Sequence, residues 1–211
     1  MHLDHFVLAA PDLARAKEEF ADLSGCMPAD GGAHVGLGTH NALCSFGATS
    51  YLEIIAPDPD QAREGAFAAL LAQLRELTPL HYAVQTKDLQ AVARAASAQG
   101  WAAGPIRDTS RRQPDGQLLS WQLMGIKGHD LAGLVPFFID WQASPHPAQH
   151  TPVAGQLRKF QITTEEPALA RMLSGVEGID VTQGPNTLAV AIDTPKGTLH
   201  YSATTLKGFT L

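Results

Sequence analysis

Three side chains carry most of the chemistry this sequence can do. His5 lies in the apolar run Leu3-Asp4-His5-Phe6-Val7-Leu8-Ala9, Glu53 in Tyr51-Leu52-Glu53-Ile54-Ile55, and His81 in Leu80-His81-Tyr82-Ala83-Val84. Each run has the length of a strand, and side chains alternate across a strand. Leu3, His5, Val7 and Ala9 are therefore expected on one face, and Tyr51, Glu53 and Ile55 on one face. A lone histidine in such a setting is ordinarily a hydrogen-bonded core residue. A glutamate among Tyr, Leu and Ile is harder to accommodate, because an unpaired buried carboxylate must neutralise or find a cation. One divalent metal ion answers all three at once. Two imidazoles and a carboxylate with open positions suit iron(II), manganese, nickel or zinc.

The elements that must position these residues repeat. An offset of 76 residues lays Leu3-Asp4-His5-Phe6-Val7-Leu8 over Pro79-Leu80-His81-Tyr82-Ala83-Val84, and Asp12-Leu13 over Asp88-Leu89. His81 thus occupies the repeat position of His5. Each copy continues into an Ala-rich helix, N-capped by Asp12 or Asp88 and followed by Gly25 or Gly100. Three candidate strands follow in each. In the first copy they are His34–Leu37, Asn41–Phe46 and Ser50–Ala56. In the second they are a hairpin of 106–112 and 117–126 about Pro114-Asp115-Gly116, then 134–141.

The organisation expected is α+β. Two βαβββ modules, 1–57 and 78–143, are joined by a helix over 60–77 into a domain of residues 1–143. A Pro/His-rich linker at 144–152 leads to a third, shorter βαβββ-like unit over 153–211, with a first strand at 157–163 and a helix starting near Pro167. Each module is a half-barrel with an open edge, and unpaired edges are a liability. The two modules should therefore join edge to edge into a half-open barrel around a central cavity, a common place for a small-molecule site. The odd third unit would leave an edge for its own chain or a second subunit to cover, so a homodimer is one expectation.

Composition narrows the partners. With 15 Lys and Arg against 21 Asp and Glu, the formal net charge is −6. The one tight basic cluster, Arg111-Arg112 with Arg107, is too small for a nucleic-acid surface. No apolar run reaches the ~18 residues of a membrane span, and the N-terminus lacks the features of a signal peptide, so the expectation is a cytoplasmic protein. Cys26 and Cys44 read as two free thiols. No dinucleotide fingerprint, phosphate loop or nucleophile elbow is present.

The runs Leu3–Ala9, Gly38-Thr39-His40-Asn41-Ala42-Leu43, Tyr51-Leu52-Glu53-Ile54-Ile55-Ala56-Pro57 and Pro136-Phe137-Phe138-Ile139-Asp140-Trp141 resemble the glyoxalase-like domain family of the vicinal oxygen chelate superfamily. The resemblance covers residues 1–141 well and the remainder loosely. It implies paired βαβββ modules around a divalent metal, with ligands on the first and fourth strands of each module. His5, Glu53 and His81 match three of the four ligand places. The fourth falls near Phe137 or Phe138, with Asp140 close by. The function expected is a metal-dependent enzyme of isomerase, lyase or dioxygenase type that binds a small substrate through vicinal oxygens. The alternative is a metal-free small-molecule-sequestering protein of the bleomycin-resistance type. His40, Asn41, Tyr82 and Trp121 are expected to contact the substrate. Cys44 lines the cavity or packs in the core. His200 falls at the Glu53 position of the third unit, with Lys159 in the first-strand place.

Overall fold

In a computed structural model, residues 1–34, 37–61, 66–112, 116 and 118–204 are described. The first module runs β1 (His2–Ala9), α1 (Leu13–Ser24), β2 (Ala29–His34), β3 (Thr39–Ser45) and β4 (Tyr51–Pro57). After α2 (Ala66–Leu71) the second runs β5 (Thr78–Gln85), α3 (Leu89–Ser97), β6 (Ala102–Ala103), β7 (Arg107–Arg112), β8 (Leu118–Met124), β9 (Ile126–Lys127) and β10 (Phe137–Asp140). The C-terminal unit contains β11 (Gln156–Thr164), α4 (Pro167–Leu173), β12 (Asp180–Gln183), β13 (Thr187–Thr194) and β14 (Gly197–Ala203).

The caps fall where the repeat requires them. The Asp12 carboxylate accepts the Arg15 amide at 3.0 Å and Asp88 the Ala91 amide at 2.8 Å, so each helix starts with one orphan donor satisfied. Gly25 closes α1 in the left-handed region, at φ 81°, which a residue without Cβ reaches at no steric cost.

The modules join through β1 and β5, which pair antiparallel at the centre of an eight-stranded sheet ordered β2-β3-β4-β1-β5-β10-β8-β7. Within each module the first strand lies parallel to the last, β1 to β4 and β5 to β10. The sheet curls until β2 and β7 approach each other, leaving a nearly closed barrel. Its outer face packs on α1, α3 and the C-terminal unit. Phe160 of β11 is the centre of that contact, with its ring 5.0 Å from Tyr82 and 6.1 Å from Phe6. The inner face carries a smaller apolar set, including Val7, Ile55, Leu80, Trp121, Phe137 and Trp141.

Several expectations need correction. β2 lies at Ala29–His34 rather than 34–37, so the first strand after α1 is built from Ala, Asp, Gly and His, residues with little strand signal. The helix expected over 60–77 is only Ala66–Leu71 among the described residues, followed by turns and the start of β5. Pro114, Asp115 and Gln117 of the expected hairpin turn lie outside the described residues. The C-terminal unit has the expected element order, strand, helix, three strands. Its strands are arranged β12-β11-β13-β14, with the first strand between the second and third. It is therefore not a third copy of the module, and His200 is not an equivalent of Glu53. The unit folds back on its own chain, its Phe160 against the outer face of β1 and β5.

The face assignment of β1 also changes. The pairing of β1 with β5 steps from Leu3↔Val84 to His5↔Ala83, so Asp4 is an extra residue, a β-bulge. A bulge resets the alternation. Leu3 joins the outer core with Phe6 and Leu8, while His5, Val7 and Ala9 face inward.

Candidate active site

The barrel encloses a cavity of about 140 Å³. His5, Glu53 and His81 all line it, and so do Asn41 and Trp121. His40 and Tyr82 do not. His40 alternates with Asn41 on β3 and falls on the other face. Tyr82 is wholly buried against Phe160 and donates its hydroxyl to the Leu134 carbonyl at 2.7 Å. Cys44 is buried in the outer core, and both cysteines are free thiols.

The bulge brings a fourth residue into play. Asp4 is completely buried, and its Oδ1 lies 2.6 Å from His5 Nδ1. Its Oδ2 accepts from Trp141 Nε1 at 2.9 Å and from His146 Nε2 at 3.1 Å. Burial raises the Asp4 pKa, but the hydrogen bonds and charges of His146 and His5 outweigh it and hold the carboxyl well below the usual range. An ionised Asp4 keeps the proton of His5 on Nδ1. The other nitrogen, Nε2, points toward the cavity, 3.5 Å from Glu53 Oε2. The His5 ring itself stacks on Tyr51, centroids 4.5 Å apart.

His81 is arranged in the complementary way. Its Nε2 donates to the Val135 carbonyl at 2.7 Å, which leaves Nδ1 as the free lone pair. Burial keeps the ring neutral by pushing its pKa down to about 4. Metal-ligating histidines typically donate the second ring N–H to a carboxylate or a carbonyl. Both rings here have that partner. Among the described residues no three His, Cys, Asp or Glu side chains stand close enough, as arranged, to hold an ion. Two imidazoles and a carboxylate on one cavity wall are nonetheless donor types that suit a divalent metal.

The repeat fixes the fourth position. Glu53 on β4 sits opposite Val7, two residues beyond His5, and Phe137 on β10 sits opposite Ala83, two residues beyond His81. Phe137 is therefore the counterpart of Glu53. Asp140 lies at the rim, its Oδ1 occupied by Lys87 Nζ at 3.2 Å and the Gln142 amide at 2.8 Å.

On the other side of Glu53 a polar chain crosses the barrel seam. Asn41 Nδ2 donates to Glu53 Oε1 at 2.7 Å and lies 3.2 Å from His34 Nε2. Asn41 Oδ1 in turn accepts from Arg111 Nη1 at 3.0 Å. Asn41 Nδ2 can only donate, so His34 Nε2 accepts from it, and the neutral ring carries its proton on Nδ1, 3.0 Å from Thr39 Oγ1. Burial lowers the His34 pKa despite the pull of Glu53, leaving a neutral imidazole at the cavity wall.

Asp4, His34 and Arg111 carry no local signal in the sequence that marks them as site residues. The Asp-His pair of Leu3-Asp4-His5 was visible, but strict alternation sends its two members to opposite faces. Only a bulge aims both at one site, and no signal in the sequence marks it.

A family model described as a glyoxalase-like domain matches residues 3–176. The chain belongs to the glyoxalase-like domain family. It is the family that the runs in β1, β3, β4 and β10 resemble. No curated protein matches the sequence. Among solved structures, a hypothetical protein from Staphylococcus aureus aligns over 95% of this chain and 98% of its own, with TM-score 0.66 and 14% identity. That likeness is one of fold and extends through the C-terminal unit. Methylmalonyl-CoA epimerase from Mycobacterium tuberculosis aligns over 66% of this chain and 87% of its own, with TM-score 0.49 and 23% identity. The Streptomyces coelicolor methylmalonyl-CoA epimerase, in complex with 2-nitronate-propionyl-CoA, covers 69% and 97%, with TM-score 0.48 and 20% identity.

Proposed function

We propose that the protein is a metal-dependent enzyme of the vicinal oxygen chelate type, with His5 Nε2, Glu53 and His81 Nδ1 as ligands to one divalent ion. The observation that carries this reading is the commitment of both histidine tautomers: Asp4 holds the proton of His5 and the Val135 carbonyl holds that of His81. A bound ion of this kind acts as a Lewis acid, polarising a substrate carbonyl or hydroxyl. Asn41 orients the Glu53 carboxylate through its amide and is itself fixed by Arg111. Neutral His34, at the same wall, accepts the second Asn41 amide proton at Nε2 and so helps hold Asn41 against Glu53. Trp121, Phe137 and Leu80 give an apolar wall that excludes water from the reacting end. The reaction class is isomerisation, elimination or oxygenation of a small substrate.

Phe137 at the place of a fourth ligand favours a second reading, a metal-free sequestering protein that uses the same cavity. Elemental analysis of tag-free protein separates the two. About one divalent ion per chain, lost in a His5→Ala, His81→Ala double variant that stays folded, supports the enzyme. No ion after incubation with iron(II), manganese, nickel and zinc refutes it in favour of the sequestering protein.

A further inference from the structure

Among the described residues, one buried cation at the cavity wall makes no ion pair. Arg111 is 6% exposed and lines the cavity. Its one hydrogen bond in the described structure goes from Nη1 to the neutral Asn41 amide oxygen, and its Nε is buried without a partner. None of the ion pairs of the described residues includes it. A guanidinium has five N–H donors in a fork that matches a carboxylate, and a buried charge left unpaired is costly. The fold makes room for this group. A Cβ on Gly31 of β2 would collide with both Arg111 Nη1 and Asn41 Oδ1, so glycine at that place lets the guanidinium lie across the seam.

We infer that Arg111 receives the carboxylate of the substrate, and that the substrate is a small carboxylate with an apolar body about the size of one ring. The inference rests on taking this cavity as the substrate site. The size follows from the volume: about 140 Å³, against the roughly 150 Å³ of an apolar cavity that takes one benzene. Trp121, Leu123 and Phe137 also line the cavity, and this apolar lining suits such a body. Glu53 stands two hydrogen bonds away through Asn41. A carboxylate on Arg111 therefore places the adjacent substrate carbon and its oxygen toward the Glu53–His5 end.

The test is calorimetric titration of chelator-treated protein with phenylpyruvate and with phenylpyruvamide, which keeps the vicinal oxygens and the ring but not the charge. The wild-type protein is expected to bind the carboxylate at least tenfold more tightly than the amide. Arg111→Met is expected to reduce that preference below threefold. Should the Met variant not fold, Arg111→Lys, which keeps the cation and loses the fork, is expected to retain a reduced preference. Equal binding of the two probes by the wild type, no binding of either, or a preference unchanged in a folded Arg111 variant overturns the inference. Repeating the titrations with manganese(II) tests the metal reading separately. The ion should tighten both probes, and failure of that effect leaves the carboxylate preference in metal-free protein intact.

Discussion

Replacing Asp4 by asparagine keeps the shape of the bulge and removes its charge, and the surrounding donors decide what happens next. Trp141 Nε1, 2.9 Å from Oδ2, can only donate. In the Asp4→Asn variant the amide oxygen must therefore face Trp141, and the amide NH2 must face His5. The His5 proton then moves from Nδ1 to Nε2, the nitrogen that looks at Glu53 across 3.5 Å. The ligand lone pair is blocked until the ring rearranges. Loss of such a partner behind a metal ligand typically costs 10- to 100-fold in affinity, about 1.4–2.7 kcal/mol. Stability should fall as well, by about 1.5–3 kcal/mol for the charge-assisted bonds weakened. Competition against a chromophoric chelator measures the zinc and manganese affinities, and nitrogen NMR of the His5 ring reports the tautomer. Affinity within twofold of wild type, in a folded variant whose His5 proton stays on Nδ1, would refute the reasoning.

Acid should weaken the chelator-treated protein before any carboxylate titrates. The folded state keeps His81 neutral down to about pH 4, whereas the unfolded chain takes up that proton near 6.5. The unfolded state thus binds more protons between those values, and stability falls as pH drops through the window, by about 3 kcal/mol for this group. Urea unfolding at pH 7 and pH 4.5 should show the loss in wild type and much less of it in His81→Asn; equal losses would count against it. Gly31→Ala should displace the Asn41–Arg111 pair and destabilise by about 1–3 kcal/mol, as overpacking does, with a thermal midpoint unchanged from wild type as the contrary result. Phe137→Glu should restore a fourth donor, lowering stability without metal and tightening zinc binding at least tenfold; affinity no better than wild type would show that β10 does not face the ion. Phe160→Ala should cost about 3–5 kcal/mol, the usual figure for deleting a fully buried aromatic, and denaturant unfolding that shifts by less than about 1 kcal/mol would mean that the C-terminal unit is not docked through that ring.

The repeat made most of the barrel legible. An offset of 76 residues located β1, β5, both capped helices and the equivalence of His5 with His81, because each is a local pattern of apolar runs and capping residues. What the sequence concealed was set by contacts distant along the chain. Asp4 is an inward-facing hub only because the β1–β5 register steps at that residue. His146 sits in a Pro-rich stretch that reads as a linker, yet Pro147 opens a short 3-10 turn and the ring is buried against Asp4. Arg111 reads as part of an exposed basic pair, and its burial depends on Gly31, far back along the chain on β2. The third unit misled in another way. Element order is local and was read correctly, whereas strand order is global, and the same string folds as two topologies within one chain.

The register also explains why the site is one-sided. In a symmetric pair of modules, a donor on β4 and another on β10 would close the ion from both halves. Here the first half keeps its carboxylate with Asn41 and His34 beside it, while the second half offers His81, the ring of Phe137 and, from β7 across the seam, Arg111. That ring packs against both histidines, its centroid 5.4 Å from His5 and 5.1 Å from His81. The polar groups therefore gather along β2–β3–β4 and the seam with β7, and the apolar side chains of β8 and β10 are left for the body of a ligand. Under the metal reading, an aromatic ring in place of a fourth ligand would leave an ion with coordination positions open to a substrate. If the Phe137 ring is instead what excludes the ion, the same asymmetry makes a binding pocket. Metal content of the wild type together with the response of Phe137→Glu decides between them, because the enzyme reading requires an ion in both proteins and the sequestering reading allows one only after the glutamate is installed.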